Sequence, residues 1–523
     1  VEPSDGPEAS YAVLLKVPGG RVYCFYNHNT DNLRELKTVD GGIQRRVDSQ
    51  GHFVFKYSDD HGRSWSAERY DIPVREMAID RENVYGGKIR FFWNVGKPFI
   101  YDGVAYVSLH KVGNFGVGFF VRSEGVLLAS RNLLTERDPS RVVWETLPEG
   151  DAGLRTPPGG GPIAEEQSYT TLSDGSFYVV YRSIDGYPVE AYSRDRGRTW
   201  SVPRYKCYAD GRRMKHPRAA NFVWKLENGK FLYWFHNHGG RFVPLLDPTG
   251  YNDRNPAWVC AGVEADSPEG KVIRWSEPEI LLYDDDPYIR MSYPDLVEEG
   301  GSVYITETQK DVARTHEIDA AFLEKLFAQF ENTKRATGGL ALSLPEPGGT
   351  MPPEATMPRL PDFVTRDNQR ADYGTRSLRT GFTLDLWLSL PSLAPGAVLL
   401  DNRTEDGRGF CLMGVGDGAL ELLLNDGRTE NRWRSDPRGL SAGKTHHVAV
   451  VVDGGPRIIS YVVDGRFCDG GEFRQFGWGR FSPNLRGANG AQRLRIGAGV
   501  KALRVYTRAL MTSEVVGNFR AGP

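Results

Sequence analysis

Side chains that could perform chemistry recur at one position relative to paired apolar segments in the first 310 residues. Where a second apolar segment ends, the chain carries Asn27, His28, His110, Arg182, His236, His238 and Glu307. Where a first segment begins, it carries Arg90, Trp93, Glu165, Glu166, His216, Arg218 and Tyr293. Glutamate, tyrosine and histidine can move protons or attack carbon, and arginine binds carboxylates through paired hydrogen bonds. The set suits acid–base or nucleophilic chemistry on a polar substrate.

The elements that must position these residues are hairpins. Each is an apolar strand, a turn such as SDG, ENG or EGG, and a second strand rich in Tyr, Phe and Val. Five of them occupy residues 11–28, 97–111, 166–183, 220–237 and 292–309. Their spacing leaves room for two further strands each, and four-stranded antiparallel sheets repeated radially form a β-propeller. We therefore predict an all-β chain whose first domain, residues 1–335, is a propeller of five or six blades.

A repeated motif indicates which face of the propeller carries the site. SDDHGRSW at 58–65 returns as SRDRGRTW at 193–200, with the shared spacing SxDxGxxW. Ser and Asp side chains can satisfy turn amides and Gly permits a positive φ, so we interpret the motif as a turn. It resembles the Asp box of sialidase-like propellers, which implies that it joins the third and fourth strands of a blade. Because strands alternate in direction, the candidate residues then lie together on the opposite face, at the mouth of the central channel.

Each candidate also has a structural interpretation. Arginine and glutamate at strand ends can pair at a wet rim, and Asn–His pairs can cap loops. Metal binding is open for His28, His236 and His238, but the HNH sequence has no carboxylate between its histidines. We predict a site without metal or cofactor.

A different pattern follows the hairpins. Residues 318–331 have apolar residues at helical spacing and predict a helix, and residues 336–371, dense in Pro and Gly, predict a linker or connecting segment. Alternating strands with DG turns at 372–523 predict a β-sandwich. That region resembles the laminin G-like, concanavalin-type jelly rolls found beside many carbohydrate-active enzymes, particularly in HHVAVVVDG, VVDGRF and ALRVYTRALMTSEV.

Composition restricts the partners and the location. The formal net charge of −2 and the lack of a basic tract give no reason to expect nucleic acid, and no apolar run is long enough to span a bilayer. The five cysteines are too few for a disulfide scaffold, and we interpret them as buried thiols. A disulfide between Cys411 and Cys468 stays open. We expect a glycan or oligosaccharide partner, a secreted, periplasmic or cell-surface location, and a signal peptide absent from this sequence. The oligomeric state stays open.

The first domain resembles the sialidase-like propellers, which carry the SxDxGxxW motif as their Asp box. Glu166, the LSDG turn at 172–175 and Arg182 resemble that family's Glu, turn and Arg in order, and YPDL at 293–296 with Glu307 resembles its tyrosine strand. Arg254 in RNPAWV resembles a further family arginine, and Asp48 in RRVDSQGHFVFKYS resembles its acid, with Asp31 as competitor.

The resemblance implies an exo-acting glycoside hydrolase that cleaves a terminal acidic sugar with retention. Tyr293 would be the nucleophile, Glu166 its base and Asp48 the acid and base, while Arg182 and Arg254 would hold the sugar carboxylate. The family's first arginine is missing, because the matching stretch EASYAVLLKVPGG contains none. Arg45, Arg46, Arg90 or Arg218 would have to replace it.

Two other functions stay open. A polysaccharide lyase, or another propeller glycosidase, would act on uronate- or rhamnose-containing glycans with the same histidine-rich rim. A non-catalytic glycan-binding protein would use the propeller as a receptor and the sandwich as a lectin.

Overall fold

The computed structural model describes residues 1–116, 119–239, 253–308, 312–372 and 374–523. Within these ranges, five antiparallel sheets follow one another along the first part of the chain and two larger sheets form the last part. Two two-stranded hairpins and three α-helices complete the fold. The chain is an all-β propeller followed by a jelly-roll sandwich, as the sequence predicts. The described residues supply five blades, the lower of the two predicted counts.

The first two blades each contain an additional short element. Blade 1 contains β1 (Ala9–Lys16), β2 (Val22–His28), β5 (His52–Ser58) and β6 (Tyr70–Asp71), with the small hairpin β3 (Leu36–Lys37) and β4 (Ile43–Gln44) inserted after β2. The short helix α1 (Ala78–Arg81) leads into blade 2. Blade 2 contains β7 (Phe91–Trp93), β8 (Phe99–Tyr101), β9 (Val104–Gly116), β10 (Phe119–Ser130) and β11 (Glu145–Leu147), with a 3-10 turn at Pro139–Arg141.

The remaining blades are antiparallel sheets with four, five and three described strands. Blade 3 contains β12 (Glu165–Thr171), β13 (Phe177–Arg182), β14 (Val189–Ser193) and β15 (Arg204–Tyr205). Blade 4 contains β16 (Phe222–Lys225), β17 (Phe231–Phe235), β18 (Ala257–Ser267), β19 (Gly270–Trp275) and β20 (Glu279–Leu282). Blade 5 contains β21 (Ser292–Glu299), β22 (Ser302–Thr308) and β23 (Ala313–Ile318).

Blade 3 shows why these sequences form hairpins. Glu165 pairs with Arg182 and Thr171 with Phe177, and the LSDG turn closes where the Gly175 N–H donates to Leu172 O over 3.1 Å. Gly175 has a φ of 82°, a conformation that favours glycine. All residues of β13 are buried, because the sheet packs between two neighbouring blades. Its apolar run is therefore continuous instead of alternating.

The Asp boxes lie where the sequence predicts. The first connects β5 to β6 and the second connects β14 to β15, so each joins the third and fourth strands of its blade. In the second copy, Ser193 Oγ accepts from the Gly197 N–H over 2.7 Å and Asp195 accepts from the Thr199 N–H over 2.8 Å. His61 and Arg196 occupy the same left-handed position of the two turns, with φ of 62° each. His61 is thus a turn residue.

The chain then forms a helix where one is predicted. Helix α2 (Ala320–Ala328) begins after Asp319, whose side chain accepts from the Ala321 N–H over 2.8 Å, and buries Leu323, Leu326 and Phe327. A second helix, α3 (Thr512–Ala521), closes the chain and was not predicted. Its signal is the Glu514 side chain, which accepts from the Met511 N–H as an N-terminal cap.

Residues 336–371 are part of a folded sheet structure, which corrects the expectation of a linker. They contribute β24 (Leu340–Leu344), β25 (Glu354–Thr356) and β26 (Val364–Arg366). Strand β24 pairs with Leu503–Tyr506, and β25 pairs with Arg493–Arg495, so two of the three are edge strands of the sandwich. Backbone pairing at the sheet edges outweighs the loop-like composition. The exact domain boundaries stay predictions.

The sandwich is built from two sheets. The first contains β24, β28 (Gly381–Ser389), β33 (Thr445–Asp453), β34 (Ile458–Val463), β35 (Arg466–Phe467), β36 (Gly479–Arg480) and β38 (Val500–Tyr506). The second contains β25, β29 (Val398–Asp401), β30 (Gly409–Gly416), β31 (Ala419–Asn425), β32 (Glu430–Arg434) and β37 (Arg493–Ile496), and β26 pairs with β27 (Thr375–Ser377) in a separate hairpin. All five cysteines are free thiols, so the open pairing of Cys411 with Cys468 is wrong.

The two domains share a hydrophobic core. Tyr233 and Trp258 of blade 4 pack in one buried cluster with Val451, Phe467 and Trp478 of the sandwich. The Trp258 and Phe467 ring centroids are 5.2 Å apart. Burial of large aromatic side chains stabilises such an interface strongly, so the sandwich is fixed against blade 4.

Candidate active site

The centre of the candidate site is a tyrosine–glutamate pair from two blades. The Tyr293 hydroxyl donates to Glu166 Oε1 over 3.1 Å, although the residues lie 127 positions apart in the chain. Glu166 is buried and Tyr293 is half-buried. A phenol that donates to a carboxylate can transfer its proton to it, so the pair has the geometry of a nucleophile and its base.

β-Bulges at the starts of two first strands present these side chains. The pairing register shifts between Glu165 and Ser168 in β12 and between Ser292 and Asp295 in β21. At these bulges Glu166 has a φ of 59° and Tyr293 a φ of 50°. The left-handed conformation costs free energy in residues other than glycine and is concentrated at functional sites, and a bulge re-aims the side chain beside it.

Two arginines contact a second carboxylate, Glu165. Arg182 places Nη2 2.7 Å from Glu165 Oε2 and Nη1 3.0 Å from Glu166 Oε2, so it bridges both glutamates. Arg218 places Nη2 2.8 Å from Glu165 Oε1. Arg182 and Arg218, two of the four arginines predicted to bind substrate, therefore form ion pairs with Glu165, a residue to which the sequence analysis assigned no role.

The two neighbouring glutamates differ in acidity. Burial raises the pKa of Glu165, but Arg218 and Arg182 more than offset this and bring it to about 2. Burial, together with the nearby charge of Glu165, raises the pKa of Glu166 above its usual range, although Arg182 and Arg254 lower it. Glu165 is thus a fixed anion, whereas Glu166 is a basic carboxylate suited to accept a proton.

Arg254 joins the pair from the chain segment that precedes β18. Its Nη1 donates to Ser292 Oγ over 2.8 Å, directly beside Tyr293, and its charge lowers the pKa of Glu166. Arg254 is buried. The structure therefore brings together Tyr293, Glu166, Arg182, Arg218 and Arg254 from the predicted set.

Three buried histidines line the same centre. His110 Nδ1 accepts from the Glu166 N–H over 3.2 Å, and His236 stacks on His216 with ring centroids 5.8 Å apart. His216 Nε2 is 2.7 Å from Ala219 O, and its Nδ1 accepts from the His236 N–H. Burial lowers the pKa of His110 and of His216 to about 3 and that of His236 far below its usual range. The three rings are neutral at pH 7.

His238 lies where the sandwich meets the site. Its Nε2 is 2.6 Å from Asp253 O, and its ring stacks on Phe476 with centroids 4.6 Å apart. The Trp478 Nε1–H donates to Asn237 O over 2.9 Å. Burial lowers the pKa of His238 to about 4. His238 is therefore a neutral residue at the domain interface.

Asp48 occupies a second cluster in blade 1. The Tyr11 hydroxyl donates to Asp48 Oδ2 over 2.5 Å and Arg46 Nε donates to the same oxygen over 2.6 Å. The Tyr11 ring lies 4.0 Å from that of Trp93, which lies 6.3 Å from the His110 ring. The contacts among the described residues link Asp48 to the Tyr293–Glu166 pair through these rings and not directly.

Four predicted residues form contacts away from the pair. Asn27 Nδ2 donates to Phe92 O over 2.5 Å, and the ring of His28 faces the Thr30 hydroxyl over 3.0 Å. Arg90 Nη1 donates to Val74 O over 2.7 Å. The carboxylate of Glu307, opposite the Tyr293 bulge, contacts Arg314 and His316 on β23. Their positions lie at the same end of the blades as the pair, but the side-chain contacts described for them are to residues other than Tyr293 and Glu166.

Tyr11 is a site residue that the sequence analysis missed. The register of β1 shifts between Ser10 and Val13, and Tyr11 has a φ of 62°, so it occupies the same bulge position as Glu166 and Tyr293. A signal exists in the sequence, because Tyr11 precedes the turn glycine Gly20 by the same interval that separates Glu166 from Gly175. Aligning the hairpins on their turns would have found it.

A separate cavity of about 250 Å³ opens beside the approach to β12. It is lined by Arg122, Ser123, Glu124, Arg155, Thr156, Gly160, Gly161 and Pro162. Glu124, which is buried, pairs with Arg155 Nη2 over 2.8 Å and Arg122 Nη2 over 3.1 Å.

Among the described residues, no group of three His, Cys, Asp or Glu side chains is placed to hold a metal ion. Over the ranges that the structure describes, no helix is long and apolar enough to cross a membrane.

Comparison with known proteins gives two family matches. The model of the BNR repeat-like domain matches residues 5–305, more than half of the chain, and that of the concanavalin A-like lectin/glucanases superfamily matches residues 366–516. No curated protein matches the chain.

Solved structures of sialidases and trans-sialidases are similar to the chain. Trypanosoma rangeli sialidase is 13% identical with a TM-score of 0.33, and the match covers 100% of this chain and 96% of that one. The intramolecular trans-sialidase from Ruminococcus gnavus is 13% identical with a TM-score of 0.37 over 61% and 80%. The leech intramolecular trans-sialidase is 12% identical with a TM-score of 0.38 over 62% and 57%.

Proposed function

The chain belongs to the BNR repeat-like domain family, with a concanavalin-like domain at its C-terminal end, and from that premise we propose that it is an exo-acting glycoside hydrolase. Tyr293 is the nucleophile of a retaining reaction and Glu166 is its base. The observation that carries the proposal is the hydrogen bond from the Tyr293 hydroxyl to the buried, basic Glu166, between two residues held in left-handed backbone at matching bulges.

The proposed reaction has two steps. The phenolic oxygen of Tyr293 bonds to the anomeric carbon as the glycosidic C–O bond breaks, its proton passes to Glu166, and Asp48 protonates the leaving oxygen. Water then attacks the anomeric carbon and gives a proton to Asp48, while the departing phenolate recovers its proton from Glu166. Two inversions give net retention. A free phenol has a pKa near 10, so a basic carboxylate neighbour makes this nucleophile usable near neutral pH.

A trapping experiment tests the nucleophile directly. We expect 2-deoxy-2-fluoro glycosyl fluorides, or the 3-fluoro analogue of a ketoside, to leave a sugar adduct that mass spectrometry locates on Tyr293. Fluorogenic 4-methylumbelliferyl glycosides then report turnover, and Tyr293→Phe should lower kcat by about 10³-fold or more, because the nucleophile is lost. Tyr304→Phe, in the same blade and without a described hydroxyl contact, is the matched control.

Asp48 is tested by the leaving group. Asp48→Asn should slow the hydrolysis of alkyl glycosides by about 10²–10⁴-fold and that of dinitrophenyl glycosides much less, since a good leaving group needs no acid.

Full turnover by Tyr293→Phe would refute the proposed mechanism. An unsaturated, ultraviolet-absorbing product would point instead to a lyase, and sugar binding without turnover to a receptor. The proposal includes a secreted, periplasmic or cell-surface location, where glycans are available.

A further inference from the structure

Three blades present a side chain from the same structural position. Tyr11, Glu166 and Tyr293 each follow the last regular pair at the start of a first strand, and each lies in a bulge with φ between 50° and 62°. Glu166 and Tyr293 form the proposed nucleophile pair. The equivalent position in blade 1 therefore faces the site with an uncharged phenol.

The surroundings of Tyr11 are aromatic. Its ring lies 4.0 Å from Trp93, and Trp93 packs against Phe119 and Phe120 at 5.7 and 5.0 Å. The only described cation in contact with Tyr11 is Arg46, whose Nη2 donates to the phenolic oxygen over 2.8 Å and whose Nε donates to Asp48. Tyr11 and Phe119 are partly exposed on this side of the site, while Trp93 and Phe120 are buried. The exposed rings offer aromatic faces and a phenolic hydroxyl, the kind of surface that an uncharged sugar ring packs against.

Two of the three arginines on the other side form ion pairs within the protein, and the third, Arg254, donates to Ser292 Oγ and lowers the pKa of Glu166. Arg182 and Arg218 both pair with Glu165, and Arg182 also pairs with Glu166. Glu165 is fully buried and its pKa of about 2 keeps it ionised. His110, His216, His236 and His238 add no positive charge, because burial lowers the pKa of each ring.

We infer that the terminal sugar accepted by this site carries no carboxylate, so the substrate class is a glycan that ends in a neutral hexose or deoxyhexose. A sugar carboxylate would have to displace Glu165 from its arginines or lie a few ångströms from that buried anion, where like charges repel strongly. The inference rests on the proposed function and replaces the acidic sugar that the family resemblance implies.

Matched substrate pairs test the substrate class on the wild-type protein. A 4-methylumbelliferyl glucoside and glucuronide, and a galactoside and galacturonide, differ only in a hydroxymethyl or a carboxylate, and both anomers are assayed. Rhamnosides, fucosides and the N-acetylneuraminide complete the panel. We expect kcat/KM for the preferred neutral sugar to exceed that for its carboxylated partner by about 10²-fold, the effect of one like charge at close range.

Two variants should lower the ratio of kcat/KM for the neutral sugar to kcat/KM for its carboxylated partner. Glu165→Gln removes the internal anion, and Tyr11→Arg adds a cation at the third bulge, so each should improve the carboxylated member of a pair relative to the neutral one by about tenfold. Glu264→Gln removes one negative charge on β18, outside the site, and should leave the ratio unchanged. If Glu165→Gln does not fold, Tyr11→Arg and the wild-type ratio still decide the question.

The outcomes separate this inference from the proposed function. Preference for carboxylated sugars, with the fluorosugar adduct on Tyr293, would overturn the neutral-sugar inference and leave the glycosidase in place. If no glycoside is hydrolysed and no fluorosugar labels Tyr293, the proposed function fails and the inference falls with it. A preference for neutral sugars that becomes smaller in Glu165→Gln and in Tyr11→Arg would support both the inference and the proposed function.

Discussion

Two adjacent glutamates show how single residues acquire different roles in this protein. Glu165 and Glu166 are both buried, and burial raises the pKa of each. Glu165 is held ionised by Arg218 and Arg182, whereas Glu166 has Arg182 on one side and the charge of Glu165 on the other. Opposing shifts in neighbouring carboxylates are how one site provides an anion and a base together.

Replacing Arg182 with methionine should destabilise the protein by about 3–5 kcal/mol, the cost of removing one partner from a buried ion pair. It leaves Glu165 with Arg218 and removes the arginine that forms an ion pair with Glu166. Urea denaturation measures the loss. Adding Glu165→Gln should restore part of the stability, because one buried anion disappears. A double variant no more stable than Arg182→Met would contradict the ion-pair explanation.

At the scale of elements, the two ends of a blade perform separate tasks. Bulges at the starts of β1, β12 and β21 present Tyr11, Glu166 and Tyr293, while the Asp boxes close the turns between third and fourth strands at the opposite end. The Asp boxes satisfy backbone amides and contact none of the site residues described above. Changes in the turns should therefore affect stability and spare catalysis.

Asp195→Ala tests that separation. The Asp195 carboxylate accepts from the Thr199 N–H and hydroxyl and from Ser193, so its loss should lower the free energy of unfolding by about 1 kcal/mol, a modest value because the turn is partly exposed to water. Thermal denaturation and kcat/KM are measured on the same preparation. His61→Ala should change neither quantity, and a large fall in kcat/KM for Asp195→Ala would show that the turn acts on the site.

For the whole molecule, the sandwich is structurally integrated with the propeller. Glu279 of β20 accepts from the Thr512 and Ser513 N–H groups over 3.1 and 2.7 Å, so a propeller carboxylate caps helix α3. Phe476 and Trp478 contact His238 and Asn237 beside the site. We expect the two domains to unfold together.

The stability of this junction should depend on pH. Burial raises the pKa of Glu279 from 4.5 to about 7, so its folded-state pKa exceeds the unfolded one. Its contribution to stability is complete below pH 4.5 and is lost as the pH rises through 7, by about 3 kcal/mol. Glu279→Gln cannot titrate, so the free-energy difference between wild type and variant should change by that amount from pH 4.5 to 7.5 in urea titrations. A difference independent of pH would contradict the prediction.

Much of the fold can be predicted from local sequence. Glycine turns such as LSDG identify the hairpins, the two SxDxGxxW motifs identify the ends of third strands, and apolar spacing identifies helix α2. These patterns depend on residues close to one another in the chain, so they can be recognised without knowledge of the tertiary structure. Strands β24 and β25 were missed because their edge pairing depends on β38 and β37, more than a hundred residues away.

The sequence by itself determined which residue types stand at the strand ends, and so named Glu166, Arg182 and Tyr293 as candidates, while the family resemblance added Arg254; their catalytic and binding roles stay predictions. Only the tertiary structure decided that Tyr293 meets Glu166, that Tyr11 meets Asp48, and that Glu165 balances Arg182 and Arg218. Charge and acidity depend on burial and on neighbours from other blades, and these distances are set by how the sheets pack.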